Sequence, residues 1–407
     1  MAIVLKLRRA GRRAAARIGS LAAARRAHAA LAQRPPAAPS TPFALYFADS
    51  PVGYYQLGQW LAPLAALARD AAPVALIVRD ARTALRAAGE TALPIVLAAG
   101  SADVEEFVRR HGVQVLFYVN NNQANFTTLR INGPAHVHLS HGESEKTSMA
   151  SNQLKAYDFA FVAGQAAVDR ITDNVPRFDA SHLKAIGRPQ LDQVRRTRPE
   201  GDRVTVLYAP TWEGDGKDMA YSSLASHGSA LVAALLADPR FRLIYRPHPK
   251  TGSAEAHFAS LDRSLARSMD AASGDGHRVD RSPNPWEALG EADVVVADVS
   301  AMAVDAVGLD LPLVVCGGEA RPVAGHGSGS GGAPPRLVES ATHWDRGVPA
   351  SAADDLAALA NNPVGARQHA YRSYVFGDTE ASGLTRFIAA SAGLLGAHGQ
   401  AGAAASS

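Results

Sequence analysis

Two histidine motifs bracket the middle third of the chain, Ser140-His141-Gly142 and Arg246-Pro247-His248-Pro249. Between and after them stand Tyr208-Ala209-Pro210-Thr211-Trp212 and Ala297-Asp298-Val299-Ser300. Each polar motif follows a strand-like apolar run. In an open parallel sheet, ligands sit beyond the carboxyl ends of the strands. Four such motifs therefore predict one shared cleft, and two histidines there predict work on a phosphate or a hydroxyl.

The chemistry can be read motif by motif. Ser300 precedes the helix-forming stretch Ala301-Met302-Ala303-Val304-Asp305-Ala306-Val307, so it is placed as an N-cap, with the free amides of Ala301 and Met302 beside it. A helix N-terminus carries about half a positive charge and suits a phosphate. His248 is held between two prolines and flanked by Arg246 and Lys250, a set suited to a diphosphate or to charge building on a leaving phosphate. His141 precedes Gly142, whose lack of a side chain permits close approach, and Glu143, Glu145 and Lys146 follow. A neutral imidazole there can take the proton of an attacking hydroxyl, with a carboxylate to orient it. Thr211 and Trp212 lie at another strand end, and Asn120, Asn121 and Asn122 carry amides suited to hydroxyl-rich ligands. His136, His138 and His141 have a spacing that metal ligands use. However, His136 and His138 share one strand face, His141 lies past the strand end, and no Asp-x-Asp occurs, so no metal is expected.

The elements that must position these residues follow from apolar runs. Phe43–Ala48, Val74–Val78, Pro94–Ala98, Val113–Val119 and Ala135–Ser140 read as strands, with helices over Tyr54–Asp70 and Ser101–Arg110. The pattern repeats in Val204–Tyr208, Phe241–Tyr245, Val294–Ala297 and Leu313–Cys316. Strands alternating with helices argue for parallel, doubly wound sheets. The expected fold class is α/β and GT-B-like: two Rossmann-like domains facing a central cleft, with a basic N-terminal helical segment. The Pro- and Arg-rich stretch Gly187–Pro199 is the linker candidate, and the Gly/Ser-rich Gly325–Gly332 reads as a mobile loop. The expected divisions are 1–40, a basic, Ala/Arg-rich membrane-surface segment or tail; 41–190, an acceptor domain; 200–375, a donor-nucleotide domain; and 376–397, a C-terminal helix crossing back.

Composition narrows the class. The chain has 407 residues, enough for two cores, and a single cysteine, which excludes an internal disulfide and fits a reducing cytosol. Before Pro35 stand Lys6, Arg8, Arg9, Arg12, Arg13, Arg17, Arg25, Arg26 and Arg34 with no acidic residue, interleaved with Ala, Leu, Ile and Val. Such a segment, 1–34, can lie on an anionic membrane surface, but it contains no run long enough to span one. A disordered tail is the plainer alternative. Nothing elsewhere interleaves basic and aromatic residues as nucleic-acid binding requires.

In their order, His141-Gly142, Tyr208-Ala209-Pro210-Thr211, Arg246-Pro247-His248-Pro249 and Asp298-Val299-Ser300 resemble the CDP-glycerol glycerophosphotransferases of teichoic acid synthesis, as does Tyr374-Val375-Phe376-Gly377-Asp378 followed by Gly383. The resemblance covers roughly Pro134 to Ile388. It implies a peripheral membrane enzyme at the cytoplasmic face of a bacterial cell, without a cofactor. His141 would act as base and His248 would serve the donor diphosphate. Arg246, Lys250, Thr211, Asp298, Ser300 and Ala301 would surround the donor, while Gly142, Glu143, Lys146, Asn120 and Asn121 would lie on the acceptor side. The expected reaction moves a polyol phosphate, foremost glycerol phosphate from CDP-glycerol, to a hydroxyl of a membrane-linked glycan or polymer and releases CMP. A GT-B glycosyltransferase using a nucleotide sugar is the alternative, and a non-catalytic glycan- or nucleotide-binding protein the second. The chain departs from the family where His-Gly is usually followed by Thr-Pro-hydrophobic-Lys. Here Glu143-Ser144-Glu145-Lys146 keeps the lysine in register but adds two carboxylates. The family's Asp-Tyr-Ser-Ser becomes Asp298-Val299-Ser300-Ala301.

Overall fold

A computed structural model describes residues 19–146, 149–199, 201–214, 216, 220–317, 336–362 and 364–396. The Gly325–Gly332 loop and residues 1–18 of the basic segment lie outside these. Residues 19–31 are helical, burying Ala27 and exposing Arg25, Arg26 and Leu21.

Apolar runs become strands where the sequence places them. The first sheet contains β1 (Phe43–Phe47), β2 (Val74–Val78), β3 (Ile95–Leu97), β4 (Val115–Tyr118), β5 (Ala135–His138), β6 (Phe159–Val162) and β7 (Leu183–Ala185). Its order is β3-β2-β1-β4-β5-β6-β7, and the pairs from β3 to β6 are parallel. The second contains β8 (Val204–Ala209), β9 (Phe241–Tyr245), β10 (Arg278–Val279), β11 (Val294–Ala297), β12 (Leu313–Cys316) and β13 (Thr342–Trp344), in the order β10-β9-β8-β11-β12-β13 and parallel throughout. β1 and β11 are buried at every residue. This explains their unbroken apolar character, since a parallel sheet is covered on both faces. Strand alternation sorts the second core: Val204, Val206 and Tyr208 pack with Leu243 and Tyr245, whereas Leu207 and Ala209 pack with Ile244, Val295 and Ala297. In each sheet the order reverses once, between β1 and β4 and between β8 and β11. These are the topological switch points, where such sheets bind ligands.

The chain forms two compact units. One comprises the described residues up to His141, with Lys155–Ala160 and those from Ile388 onward; the other comprises Gly142–Leu154 and Phe161–Phe387. The Gly187–Pro199 stretch, read as a linker from its Pro and Arg content, lies wholly within the second unit. There Arg188 pairs with Asp305 at 2.9 Å, both side chains nearly inaccessible, and Arg196 donates to the Ala292 carbonyl at 2.6 Å. The final helix, Gly383–Ala392, begins in the second unit and ends in the first. β6, β7, β10 and β13 were not anticipated. Three of them have only two or three residues with mixed polarity, so pairing with a neighbour, rather than pattern, makes them strands.

Removing one partner of a buried ion pair leaves the other charge without compensation, at a cost of about 3–5 kcal/mol. Arg188→Met should therefore destabilise the protein by about that amount in denaturant unfolding, and Arg188→Met with Asp305→Leu should recover most of the loss.

Candidate functional site

In the second unit, the strands flanking the switch point end side by side, and their following residues are joined. β8 runs into Thr211 and β11 into Asp298, which is completely buried. Asp298 Oδ2 accepts the Thr211 N–H at 2.6 Å. Lys146 Nζ donates to Thr211 Oγ1 at 2.9 Å and sits 5.5 Å from the centre of the Tyr221 ring. Ser222 Oγ donates to the Thr211 carbonyl at 2.7 Å, and Ser223 Oγ lies 3.0 Å from Tyr208 Oη. Burial pushes the Asp298 carboxyl up to about 7, although hydrogen bonds from Ser223 and Thr211 and the charge of Lys146 oppose this. Burial likewise pushes the Lys146 ammonium down to about 8, against the pull of Asp298. Thus Thr211, Asp298 and Lys146 are brought together, and Tyr221 and Ser223, for which sequence spacing offers no signal, complete the group.

The helix Ala301–Gly308 starts here with Ser300 as N-cap; its Oγ accepts the Ala303 N–H at 3.4 Å. The amides of Ala301 and Met302 have no partner within the helix and can hold an anion. Gly142 lies against this helix: a Cβ on it would stand 2.9 Å from Ala301 Cβ. Its small size thus serves contact between protein segments, a function different from the ligand approach read from sequence. Glu143 and Glu145 are also structural. Glu143 pairs with buried Arg170, while Glu145 accepts the Leu337 N–H at 2.9 Å and bonds the buried Tyr371 hydroxyl.

After β9, the His248 ring stacks on Trp212, with centroids 6.2 Å apart and planes 21° apart, and Lys250 Nζ lies 4.6 Å from the Trp212 ring centre. The Lys250 N–H donates to His248 Nδ1 at 3.1 Å. The loop is anchored by Glu213, whose carboxylate accepts the N–H groups of Gly252, Ala254 and Glu255 at 2.9, 2.9 and 3.1 Å. These amides outweigh burial and hold its pKa below the usual range. Arg246 does not join His248: its guanidinium pairs with Asp280 and donates to Ser282 Oγ at 3.2 Å and the Ser282 carbonyl at 2.8 Å. The sequence grouped it with His248 because the two are near neighbours, but Asp280 and Ser282, from a distant part of the chain, take up its guanidinium.

The first unit places His141 past β5. Ser140 adopts a left-handed φ of 58°, and Trp60 Nε1 donates to its carbonyl at 2.6 Å. The Tyr55 ring meets His141 edge-on at 5.8 Å. Asn120 Nδ2 donates to Gln56 Oε1 at 2.7 Å, and Asn121 Oδ1 lies 3.4 Å from Tyr157 Oη. Both asparagines are therefore near this switch point, but part of their capacity is used within the protein. Among the described residues, no group of three or more His, Cys, Asp or Glu side chains is arranged to hold a metal ion.

No protein-family model matches the chain, and no curated protein matches it in sequence. Solved structures do match. A candidate UDP-N-acetylglucosamine 2-epimerase from Listeria monocytogenes is 12% identical, covering 86% of this chain and 96% of its own, with a TM-score of 0.56. The wall teichoic acid polymerase TagF is 13% identical over 88% of this chain and 90% of its own, at 0.52. A glycosyltransferase from Rickettsia africae is 10% identical over 88% and 99%, at 0.52. Such likeness establishes the fold: two parallel-sheet α/β domains of the GT-B type.

Folded Asp298 keeps its proton to about pH 7, whereas a free aspartate loses it near 3.8. Between these values the native state binds more protons, so this group's contribution to stability is full at low pH and fades as pH rises. Asp298→Asn keeps the acceptor for Thr211 and removes the titration. Its urea midpoint should change less between about pH 4 and pH 7 than that of the wild type.

Proposed function

We propose that the protein is a transferase that moves a polyol phosphate, foremost glycerol phosphate from CDP-glycerol, to a hydroxyl of a membrane-linked glycan or polymer. The observation that carries this reading is the set of phosphate-suited groups at the second switch point. These are the His248 imidazole stacked on Trp212, the Lys146 ammonium beside Thr211, and the helix after Ser300 with its first amides. The GT-B fold and the ordered motifs shared with glycerophosphotransferases support the same assignment.

In this reading the acceptor oxygen attacks the β-phosphorus in line. The new P–O bond forms as the bond to the CMP oxygen breaks, His141 takes the hydroxyl proton, and CMP leaves. His248, Lys146 and the helix amides stabilise charge on the phosphates, while positioning supplies most of the acceleration. Lys250 and Trp212 support His248, and Arg246 and Asp298 act on the scaffold. The acceptor's membrane link fits the helical residues 19–31, which expose Leu21, Arg25 and Arg26. Among the described residues, no helix is long and apolar enough to cross a membrane.

The test is CMP release from CDP-glycerol by the purified protein with host membranes as acceptor. His141→Ala should lower turnover by about 10²–10⁴-fold while leaving donor affinity nearly unchanged, the pattern of a lost general base. His248→Ala should weaken donor binding as well. No release, with turnover of a nucleotide sugar under the same conditions, would replace this reading by a glycosyltransferase. Binding without turnover of any donor would indicate a glycan- or nucleotide-binding protein.

A further inference from the structure

The turn that delivers His141 is strained. Among the described residues, three with side chains take a positive φ: Ser140 at 58°, Arg177 at 59° and Asp310 at 53°. A Cβ disfavours this region, although aspartate enters it more readily than most residues. Arg177 and Asp310 stand exposed in turns, whereas Ser140 is half-buried just past β5. The ladder reaches Leu139, whose N–H donates to the Tyr118 carbonyl at 2.7 Å. Continued extended backbone would set His141 on the face of Val137 and Leu139, both buried. The left-handed residue ends that alternation one position before the candidate base.

Such a residue persists only where its surroundings hold it. Here the holder is the helix Tyr54–Asp70, which follows β1, a strand at the first switch point. Trp60, 2% exposed, donates its indole Nε1–H to the Ser140 carbonyl at 2.6 Å. An indole has that one donor and no acceptor, so the bond favours a single orientation of the carbonyl. In its first turn the same helix carries Tyr55, whose ring meets His141 edge-on with centroids 5.8 Å apart. Gln56 Nε2 donates to Tyr55 Oη at 3.3 Å, and Asn120 Nδ2 donates to Gln56 Oε1 at 2.7 Å. Asn120 thereby braces the ring that contacts His141.

We propose that this helix aims His141: Trp60 locks Ser140 in its left-handed turn, and Tyr55, braced by Gln56 and Asn120, sets the imidazole ring. Trp60 and Tyr55 are positioning residues, and Trp60 acts on the base through one backbone carbonyl. Their effect on turnover rests on the transferase reading; the held turn does not.

The experiment pairs CMP release from CDP-glycerol with the imidazole signals of ¹⁵N-histidine-labelled, ligand-free protein. Trp60→Phe keeps the aromatic bulk and removes the N–H. It should move the His141 signal and lower kcat by about ten- to hundredfold, as for a reacting group misplaced by about 1 Å, with the donor KM changed less than about twofold. Adding Ser140→Gly, which adopts the turn without a Cβ penalty, should return the signal and recover most of kcat. A role in stability alone predicts no such rescue. Ser140→Val leaves the indole in place and puts a β-branched side chain on the turn, so it should reproduce the moved signal and the lost kcat even where Trp60→Phe does not fold. Tyr55→Leu should also move the His141 signal and lower kcat. An unmoved His141 signal in these variants, or a donor KM that rises as kcat falls, would overturn the proposal. No CMP release from the wild type, with the signal moved by Trp60→Phe and returned by Ser140→Gly, would refute the transferase reading alone. Release by Trp60→Phe and Ser140→Val at the wild-type rate would refute the positioning alone.

Discussion

The end of the second sheet is organised by one buried carboxylate. Asp298 occupies the switch point, where burying an ionised group is costly unless donors surround it. Burial raises its pKa, and Thr211, Ser223 and Lys146 offset part of that cost. The hydrogen bond to the Thr211 amide ties the loop after β8 to the residue after β11, fixing the two strand ends at the switch point. With Thr211 so held, its hydroxyl is directed to Lys146 and its carbonyl to Ser222. The carboxylate therefore acts by placing other groups, and the Asp-Val-Ser motif divides into an internal anchor and a helix cap.

Around this anchor, charged residues serve architecture more than their motif positions implied. The two glutamates that distinguish Glu143-Ser144-Glu145-Lys146 from the family pattern fasten the segment to Arg170, Leu337 and Tyr371. They add no charge available to a ligand. Their anchoring holds the segment from which Lys146 reaches Thr211. Glu213 likewise binds three amides and thereby holds the loop bearing His248 and Lys250. A carboxylate saturated by backbone donors can lie near a phosphate-suited region because those donors balance its charge.

The two units carry contrasting chemistry at their switch points. The second offers an ammonium and a helix N-terminus, which suit an anion. The first offers phenols, amides and imidazoles. Each set sits where its own strand order reverses, because the loops there splay in opposite directions and leave side chains of several strands in reach of one another.

Much of this architecture was legible in the chain. Nine strands are visible as apolar runs because a strand covered on both faces tolerates little else, and Ser300 is visible as a cap because a helix start needs an acceptor. The histidine motifs are legible for the same reason: they mark strand ends, where a parallel sheet exposes what it does not bury. The short strands, such as Arg278–Val279 and Thr342–Trp344, were not, since only a neighbour's unpaired backbone makes them strands. Nor did spacing reveal that Arg246 turns to Asp280, that Gly142 meets Ala301, or that Arg188 belongs to a packed unit instead of a linker. The sequence by itself determined which residues are buried, where strands end and which chemical groups stand there, because these depend on local polarity and short-range geometry. Tertiary structure alone decided which of those groups are occupied by internal partners, because a charge or amide is satisfied by whatever the fold brings within hydrogen-bond distance, however far away in the chain.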